Sequence, residues 1–113
     1  MDAKTTTDTE VDAKVQKDLD LEKVNAEQLK EYFSRKSQHE VTVHWNSDSD
    51  SWRFYFVRDN KNEYILDVKR QVLQDSPSDE IIARLEAAKW EQVLESHRRQ
   101  VVSFARKGFA FHA

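Results

Sequence analysis

A chain of 113 residues has the length of one domain, and its 38% hydrophobic and 35% charged residues make it polar for a globular fold. It has no cysteine, which excludes a disulfide framework and thiolate metal ligands and is typical of a reducing compartment. The formal net charge of −3 conceals a gradient, because residues 1–22 are acidic while residues 96–113 carry four bases and no acid.

The compartment follows from two further features of the sequence. The N-terminal segment is acidic and rich in threonine, and it lacks the apolar stretch of a signal peptide. No apolar run approaches the roughly 20 residues that a membrane-spanning helix needs. The sequence therefore predicts a cytoplasmic protein with no membrane partner.

The N-terminal segment also has little to bury, since it contains no aromatic residue. We expect a disordered acidic tail over residues 1–21, followed by a single α+β domain over residues 22–113. The domain opens with "VNAEQLKEYFSRK", a short helix in which Asn25 is placed as the N-cap and Val24 as a hydrophobic staple.

Three segments after this helix read as β-strands. "HEVTVHW", "WRFYFV" and "EYILDV" are rich in aromatic and β-branched residues, and short polar turns join them. Such short connections favour an antiparallel meander. The second segment carries aromatic residues on both sides, so both orientations of the sheet stay open.

Two helices are predicted after the strands. Asp67 is placed to cap a short one, "VKRQVLQD", and Ser76–Pro77 opens a long one. No residue before Gly108 stops this helix, and that glycine is placed to end it with Phe104 against Phe109. About 30 residues at 1.5 Å each would make it roughly 45 Å long.

These elements predict an α+β fold in which a three-stranded antiparallel meander packs against a short helix and a long C-terminal helix, with an additional N-terminal helix. The predicted core consists of Leu29, Phe33, Val41, Val43, Trp45, Trp52, Phe54, Phe56, Ile65, Leu66, Leu73, Ile82, Leu85, Trp90, Leu94, Val101 and Phe104.

The long helix carries an apolar stripe with coiled-coil spacing, in alternating steps of four and three residues. We favour packing of this stripe on the meander, because Val93 and Val102 widen it beyond a coiled-coil seam. Pairing with a second copy is the other interpretation, because the helix would overhang the sheet. The stripe consists of Ala83, Ala87, Trp90, Leu94, His97, Val101 and Phe104.

Four bases lie off the stripe, namely Arg98, Arg99, Arg106 and Lys107. We favour a solvated face whose charges suit a helix C-terminus, and contact with nucleic-acid phosphates is the alternative. His97 lies on the stripe, where a histidine at the edge of the core is favoured over a titrating switch.

Several kinds of chemistry are excluded or disfavoured. A chain with one glycine cannot contain a P-loop, a dinucleotide-binding fingerprint or a nucleophile elbow. The four histidines lack metal-ligand spacing, and "NSDSDS" lacks the glycine and glutamate of a calcium loop. "RFYFV" is similar to the aromatic strand of RNA-recognition sheets, but the glycines and strand order of that motif are missing. We therefore expect no enzyme activity, no catalytic residue, no cofactor and no metal.

Two stretches, "YILDVKRQVLQD" and "LESHRRQVVSFARKGF", carry a resemblance to a known family. Over residues 41–109 the chain resembles a family of short bacterial proteins of unknown function, domain of unknown function 1488. The resemblance implies a small α+β fold and brings no activity. The chain departs from that family in its N-terminal helix and acidic tail. The matching positions are Val72, Leu73, His97, Arg98, Val101, Ala105 and Arg106.

The sequence thus favours a non-enzymatic protein-interaction or regulatory module. Its protein partner is unknown, and a second copy bound through the long helix is one candidate. The alternative is a nucleic-acid-associated protein that uses the basic C-terminal helix. The predicted interaction surface consists of Trp90, His97, Arg98, Arg99, Arg106 and Lys107.

Overall fold

The computed structural model describes the backbone of residues 3–111 and the side chains of residues 20–111. Helices and strands alternate in blocks along the chain. In order, they are α1 (Ala3–Ser37), β1 (Glu40–Asn46), β2 (Ser51–Arg58), β3 (Lys61–Lys69), α2 (Arg70–Asp75), α3 (Ser78–Ala87), α4 (Trp90–Ser96), β4 (Val101–Ala105) and β5 (Gly108–Phe111).

One five-stranded sheet, with the strand order β1-β2-β3-β4-β5, organises the fold. β1, β2 and β3 form the antiparallel meander that the sequence predicts. β4 lies parallel to β3 and pairs Val101 with Ile65, and β5 returns antiparallel to β4. The three helices α2, α3 and α4 supply the long connection that a parallel pair requires. The α+β class is confirmed, but the sheet is mixed and has two more strands than predicted.

The helices pack on one face of the sheet, which we call the helix face. The ring of Phe33 on α1 lies 5.3 Å from that of Phe54 and 5.2 Å from that of Phe56. Trp90 at the start of α4 lies 5.0 Å from Phe33. The guanidinium of Arg84 on α3 lies 5.1 Å from the centre of the Phe104 ring. These contacts settle the orientation that the sequence left open, because they place Phe54 and Phe56 inside.

Most of the predicted core is buried on the helix face. Val43, Trp52 and Ile82 pack against it partly buried. Ile65 and Val101 are half-buried and pair with each other on the opposite face. The fully buried predicted residues are Leu29, Phe33, Val41, Phe54, Phe56, Leu66, Leu73, Leu85, Trp90, Leu94 and Phe104. Buried apolar residues outside the prediction are Ala26, Tyr32, Val68, Val72, Ile81 and Val102.

Trp45 is wrong as a core residue, because 38% of it is exposed. It lies near the end of β1, where its ring contacts Trp52 at 5.6 Å and the guanidinium of Arg70 at 4.4 Å. The indole therefore covers the margin of the core, with a cation over its face.

The prediction of a long C-terminal helix is wrong. The helical path is interrupted at Lys89 and again at Arg99, which adopt φ angles of +57° and +63° in the left-handed region. After the second interruption the apolar residues form β4, and its side chains Val102 and Phe104 are buried on the helix face of the sheet. The coiled-coil stripe is thus divided among two helices and a strand, and it offers no continuous seam to a second copy.

Two local expectations change with it. Asp67 does not cap a helix but lies inside β3, 1% exposed. Gly108 does not end a helix but follows the two-residue turn between β4 and β5, with φ at +116°. Phe104 and Phe109 do touch, at 4.9 Å between ring centres, as a cross-strand pair rather than a helix-end pair.

At the N-terminus, α1 begins well before the predicted cap. Asn25 lies within it and donates from Nδ2 to the carbonyls of Leu73 and Ser76, both at 2.8 Å. Val24 is 51% exposed, so it forms no staple. The tail expected over residues 1–21 falls within the bounds of α1 from Ala3, but nearly all its side chains lie outside the described residues. Its disorder therefore stays a prediction.

Candidate functional site

One end of the sheet collects most of the chemistry-bearing side chains, and we call it the cleft end. β1 starts there, the two-residue turn between β2 and β3 lies there, and so does the loop between α4 and β4. The end of α1 reaches the same place through Ser37. Three segments that are distant in sequence therefore meet at this end.

A cleft of about 600 Å³ opens at the cleft end between α1, α4 and the start of β3. We call it the His39 cleft. Its walls are mixed, with two aromatic rings, two bases, two acids and several neutral polar groups. It is lined by Lys36, Ser37, His39, Arg58, Tyr64, Trp90, Glu91, Gln92, Glu95 and Ser96.

His39 is 5% exposed, and its imidazole has a polar atom without a hydrogen bond. Its Nδ1 lies 3.0 Å from the carbonyl oxygen of Ser37, which can only accept, so we assign the proton to Nδ1. In the neutral ring, Nε2 is then an acceptor. It lies 3.3 Å from Oε1 of Glu63, another acceptor, and makes no hydrogen bond in the described part of the chain.

Tyr64 and Glu95 form a second polar pair on the cleft wall. The Tyr64 hydroxyl donates to Glu95, and Arg98 donates to the other oxygen of the same carboxylate at 2.6 Å. Burial, with the hydrogen bond to this carboxylate next, raises the pKa of Tyr64 to about 12. The pKa of Glu95 is lowered, first by the bond from Tyr64 and then by that from Arg98. At neutral pH the tyrosine is therefore a neutral donor and the glutamate an anion.

Beside the cleft, four cations surround a smaller cavity of about 430 Å³. We call Arg58, Lys61, Arg98 and Arg99 the basic rim. Asp59 and Glu63 complete the lining of this rim cavity, and Arg58 also lines the His39 cleft. The two cavities are thus neighbours that share one guanidinium.

Backbone geometry holds the basic rim in place. Asp59 and Asn60 have φ angles of +53° and +62°, as a tight hairpin turn requires, and the pair Arg58 and Lys61 flanks them. On the facing loop, the amide of Arg99 donates to the carbonyl of Glu63 at 3.0 Å. This bond ties the α4–β4 loop to β3.

The predicted interaction residues divide between the two ends of the sheet. Trp90, Arg98 and Arg99 border the two cavities, although Trp90 is only 2% exposed and donates from Nε1 to the Tyr32 hydroxyl at 3.0 Å. Arg106 and Lys107 form the β4–β5 turn at the opposite end, where Arg106 pairs with Asp75. The four bases thus do not form the single helical face that the nucleic-acid alternative assumed.

His97 lies at the cleft end but outside both cavities. Its Nδ1 lies 2.8 Å from the carbonyl oxygen of Val93, and its ring stacks on that of Phe111 with 4.0 Å between centres and 6° between planes. Phe111 closes β5 and is 50% exposed. This stack lies beside the free edge of β5, because no described strand pairs with β5 except β4.

Sequence reasoning missed His39, Arg58, Lys61 and Glu63. The turn "RDNK" does carry a signal, since a base flanks each side of a turn-forming pair. No sequence signal marks His39, because its burial depends on contact between the end of α1 and β3, which are more than 20 residues apart in the chain.

Comparison of the chain with protein-family models, with curated proteins and with solved structures gives no match. The resemblance over residues 41–109 therefore stays a prediction. Among the described residues, no group of three or more metal-ligating side chains comes together. No helix in the described part of the chain is long and apolar enough to span a bilayer.

Proposed function

We propose that the chain is a non-enzymatic protein-interaction module that pairs with a second copy of itself through the free edge of β5. The observation that carries the proposal is the composition of that edge. Gly108–Phe111 contains no charged residue and no proline, and such residues are what normally protect an edge strand from pairing. A cytoplasmic location, supported by the cysteine-free sequence, is part of the proposal.

The other edge of the sheet provides an internal contrast. β1 begins with Glu40 and carries His44, both exposed, and α1 packs against this strand. A charge and a covering helix are two of the devices that block pairing between sheets. The proposal therefore selects β5 over β1.

Self-pairing of β5 is geometrically simple. An antiparallel arrangement about a twofold axis at Ala110 would place Phe109 of one copy opposite Phe111 of the other. Phe109 is half-buried and Phe111 half-exposed, so pairing would remove apolar surface from water. Two four-residue strands form few hydrogen bonds, so we expect a weak dimer in exchange with monomer.

Sedimentation velocity over a range of micromolar concentrations tests the proposal. Ala110→Lys should abolish self-association, since Ala110 is exposed and two lysines would meet at the axis. His44→Lys, at an exposed position on the other edge strand, is the matched control and should associate like the unchanged protein. A monomer at all concentrations, or equal loss in both variants, would reject the proposal.

A further inference from the structure

The basic rim brings like charges together. Arg58 and Lys61 are direct partners across the β2–β3 pair, an arrangement that destabilises a hairpin. The fixed turn between them prevents the two residues from separating along the strands. An anion bound between the two side chains would turn this repulsion into attraction.

Arg99 adds a second strained feature that faces the same cavity. It adopts φ of +63°, a left-handed conformation that is strained for a residue with a Cβ. Within the described part of the chain, neither its guanidinium nor the ammonium of Lys61 has an ion-pair partner. Strain retained at a cation that pairs with nothing is typical of a functional position.

The two acids of the rim cavity do not neutralise it. The Glu63 carboxylate lies 4.0 Å from the guanidinium of Arg98. Arg98 is itself bound to Glu95 on the cleft wall. Four cations against these two acids and Glu95 still leave a net positive charge, and the ammonium of Lys61 and the guanidinium of Arg99 are available to contact a ligand.

The adjoining His39 cleft can hold an organic group next to this cavity. The rings of Trp90, Tyr64 and His39 line it. A planar ring of a ligand can pack against these aromatic side chains. Since Arg58 lines both cavities, one molecule can occupy both.

We propose that the basic rim binds the phosphate group of a small phosphorylated molecule whose ring lies in the His39 cleft. A phosphate fits the rim better than a single carboxylate, because its three terminal oxygens can each meet a separate cation. Guanidinium groups, which supply three of the four rim cations, bind phosphate oxygens in pairs. The molecule serves as a ligand and undergoes no chemical step.

Titration of the isotope-labelled protein, followed by NMR, tests this site with phenyl phosphate, inorganic phosphate and citrate. We expect saturable shifts of the Lys61 and Arg99 amides with both phosphates, and of the Trp90 indole with phenyl phosphate alone. Burial of the ring should make phenyl phosphate bind about tenfold more tightly than inorganic phosphate. Citrate should bind more weakly than phenyl phosphate.

Variants assign each part of the molecule to its cavity. Lys61→Glu or Arg99→Glu should abolish binding of both phosphates, while Lys107→Glu, an equal charge change in the turn at the opposite end, should leave it intact. Gln92→Trp, at an exposed position on the cleft wall, should remove only the preference for phenyl phosphate. Non-saturable shifts, equal loss in the Lys107→Glu variant, or tighter binding of citrate would each overturn the proposal.

Discussion

The guanidinium of Arg53 on β2 holds the carboxylate of Asp67 on β3 with two parallel hydrogen bonds, of 2.7 and 2.9 Å. The two residues are direct partners in the sheet, and they lie on the face away from the helices. Asp67 is 1% exposed at its side chain and Arg53 is 23% exposed. The bond to Asp67 raises the pKa of Arg53 above its ordinary value, so the guanidinium keeps its charge beside the carboxylate.

We expect Arg53→Met to destabilise the fold by about 3 kcal/mol, because it leaves the buried carboxylate of Asp67 without its counter-charge. Arg35→Met, at an exposed position on α1, should change stability little. Urea denaturation of both variants measures the difference. Equal losses would show that Asp67 does not depend on Arg53.

Glu22 supports a second prediction, because its carboxylate is 1% exposed and joins three elements. It accepts hydrogen bonds from Trp52 at 3.1 Å, from Arg70 at 2.9 Å and from Gln74 at 3.1 Å. Glu22→Gln removes the negative charge that Arg70 contacts and replaces one accepting oxygen with a donor. We expect a loss of about 2 kcal/mol in the free energy of unfolding.

The matched control is Glu27→Gln, on an exposed position of the same helix. It should leave the urea midpoint nearly unchanged. The idea that Glu22 fastens α1 to β2 and α2 would be abandoned if Glu22→Gln were equally neutral.

The C-terminal third of the fold shows where sequence reasoning reaches its limit. The strands β1 to β3 were predictable, because each is a segment rich in aromatic and β-branched residues and short polar turns separate them. β4 was not, because Val101 and Phe104 fit helical spacing while Val102 and Phe104 fit strand spacing. The breaks that decide between the two occur at Lys89 and Arg99, and neither glycine nor proline marks them.

The candidate site was predictable only where its charged residues are neighbours in the sequence. Arg98 and Arg99 were singled out by their position in a basic segment. Their neighbours Arg58 and Lys61 come from the β2–β3 hairpin, and His39 from the segment between α1 and β1. Convergence of this kind depends on the parallel pairing of β3 and β4, which carries no local sequence signal.

The ionisation of Tyr64 gives a prediction in pH. Its pKa of about 12 in the folded protein lies above the ordinary value of 10.0. Because the folded state holds the proton more tightly, the stabilisation is complete below pH 10 and is lost as the pH rises towards 12. NMR titration of the tyrosine ring carbons should place the Tyr64 midpoint near the upper value.

Glu95→Gln should lower that midpoint, because it removes the negative charge that opposes phenolate formation. The midpoint should stay above the ordinary value, since burial is the larger cause. Glu91→Gln, a change of equal charge on the same helix, should leave Tyr64 nearly unaffected. An unchanged midpoint in Glu95→Gln would show that the hydrogen bond between the two side chains does not form in solution.

Gly108 provides a test of backbone strain alone. Its φ is +116°, and a methyl group added there would meet no atom within 4 Å. Gly108→Ala should therefore destabilise the protein by about 1 kcal/mol or more through strain, not through a clash. Lys107→Ala, in the same turn but without positive φ, is the control for thermal unfolding. Equal melting temperatures in the two variants would contradict this role for the glycine.

The parallel contact between β3 and β4 also has a kinetic consequence. The strands of the meander can pair with their neighbours in sequence, whereas β4 can pair with β3 only after the three intervening helices have folded back over the sheet. Forming this non-local contact is slow compared with forming a hairpin, because the entropy cost of closing the long connection precedes any stabilising contact between β3 and β4. The first three strands are therefore the part of the chain placed to nucleate folding, and the β4–β5 hairpin is added last.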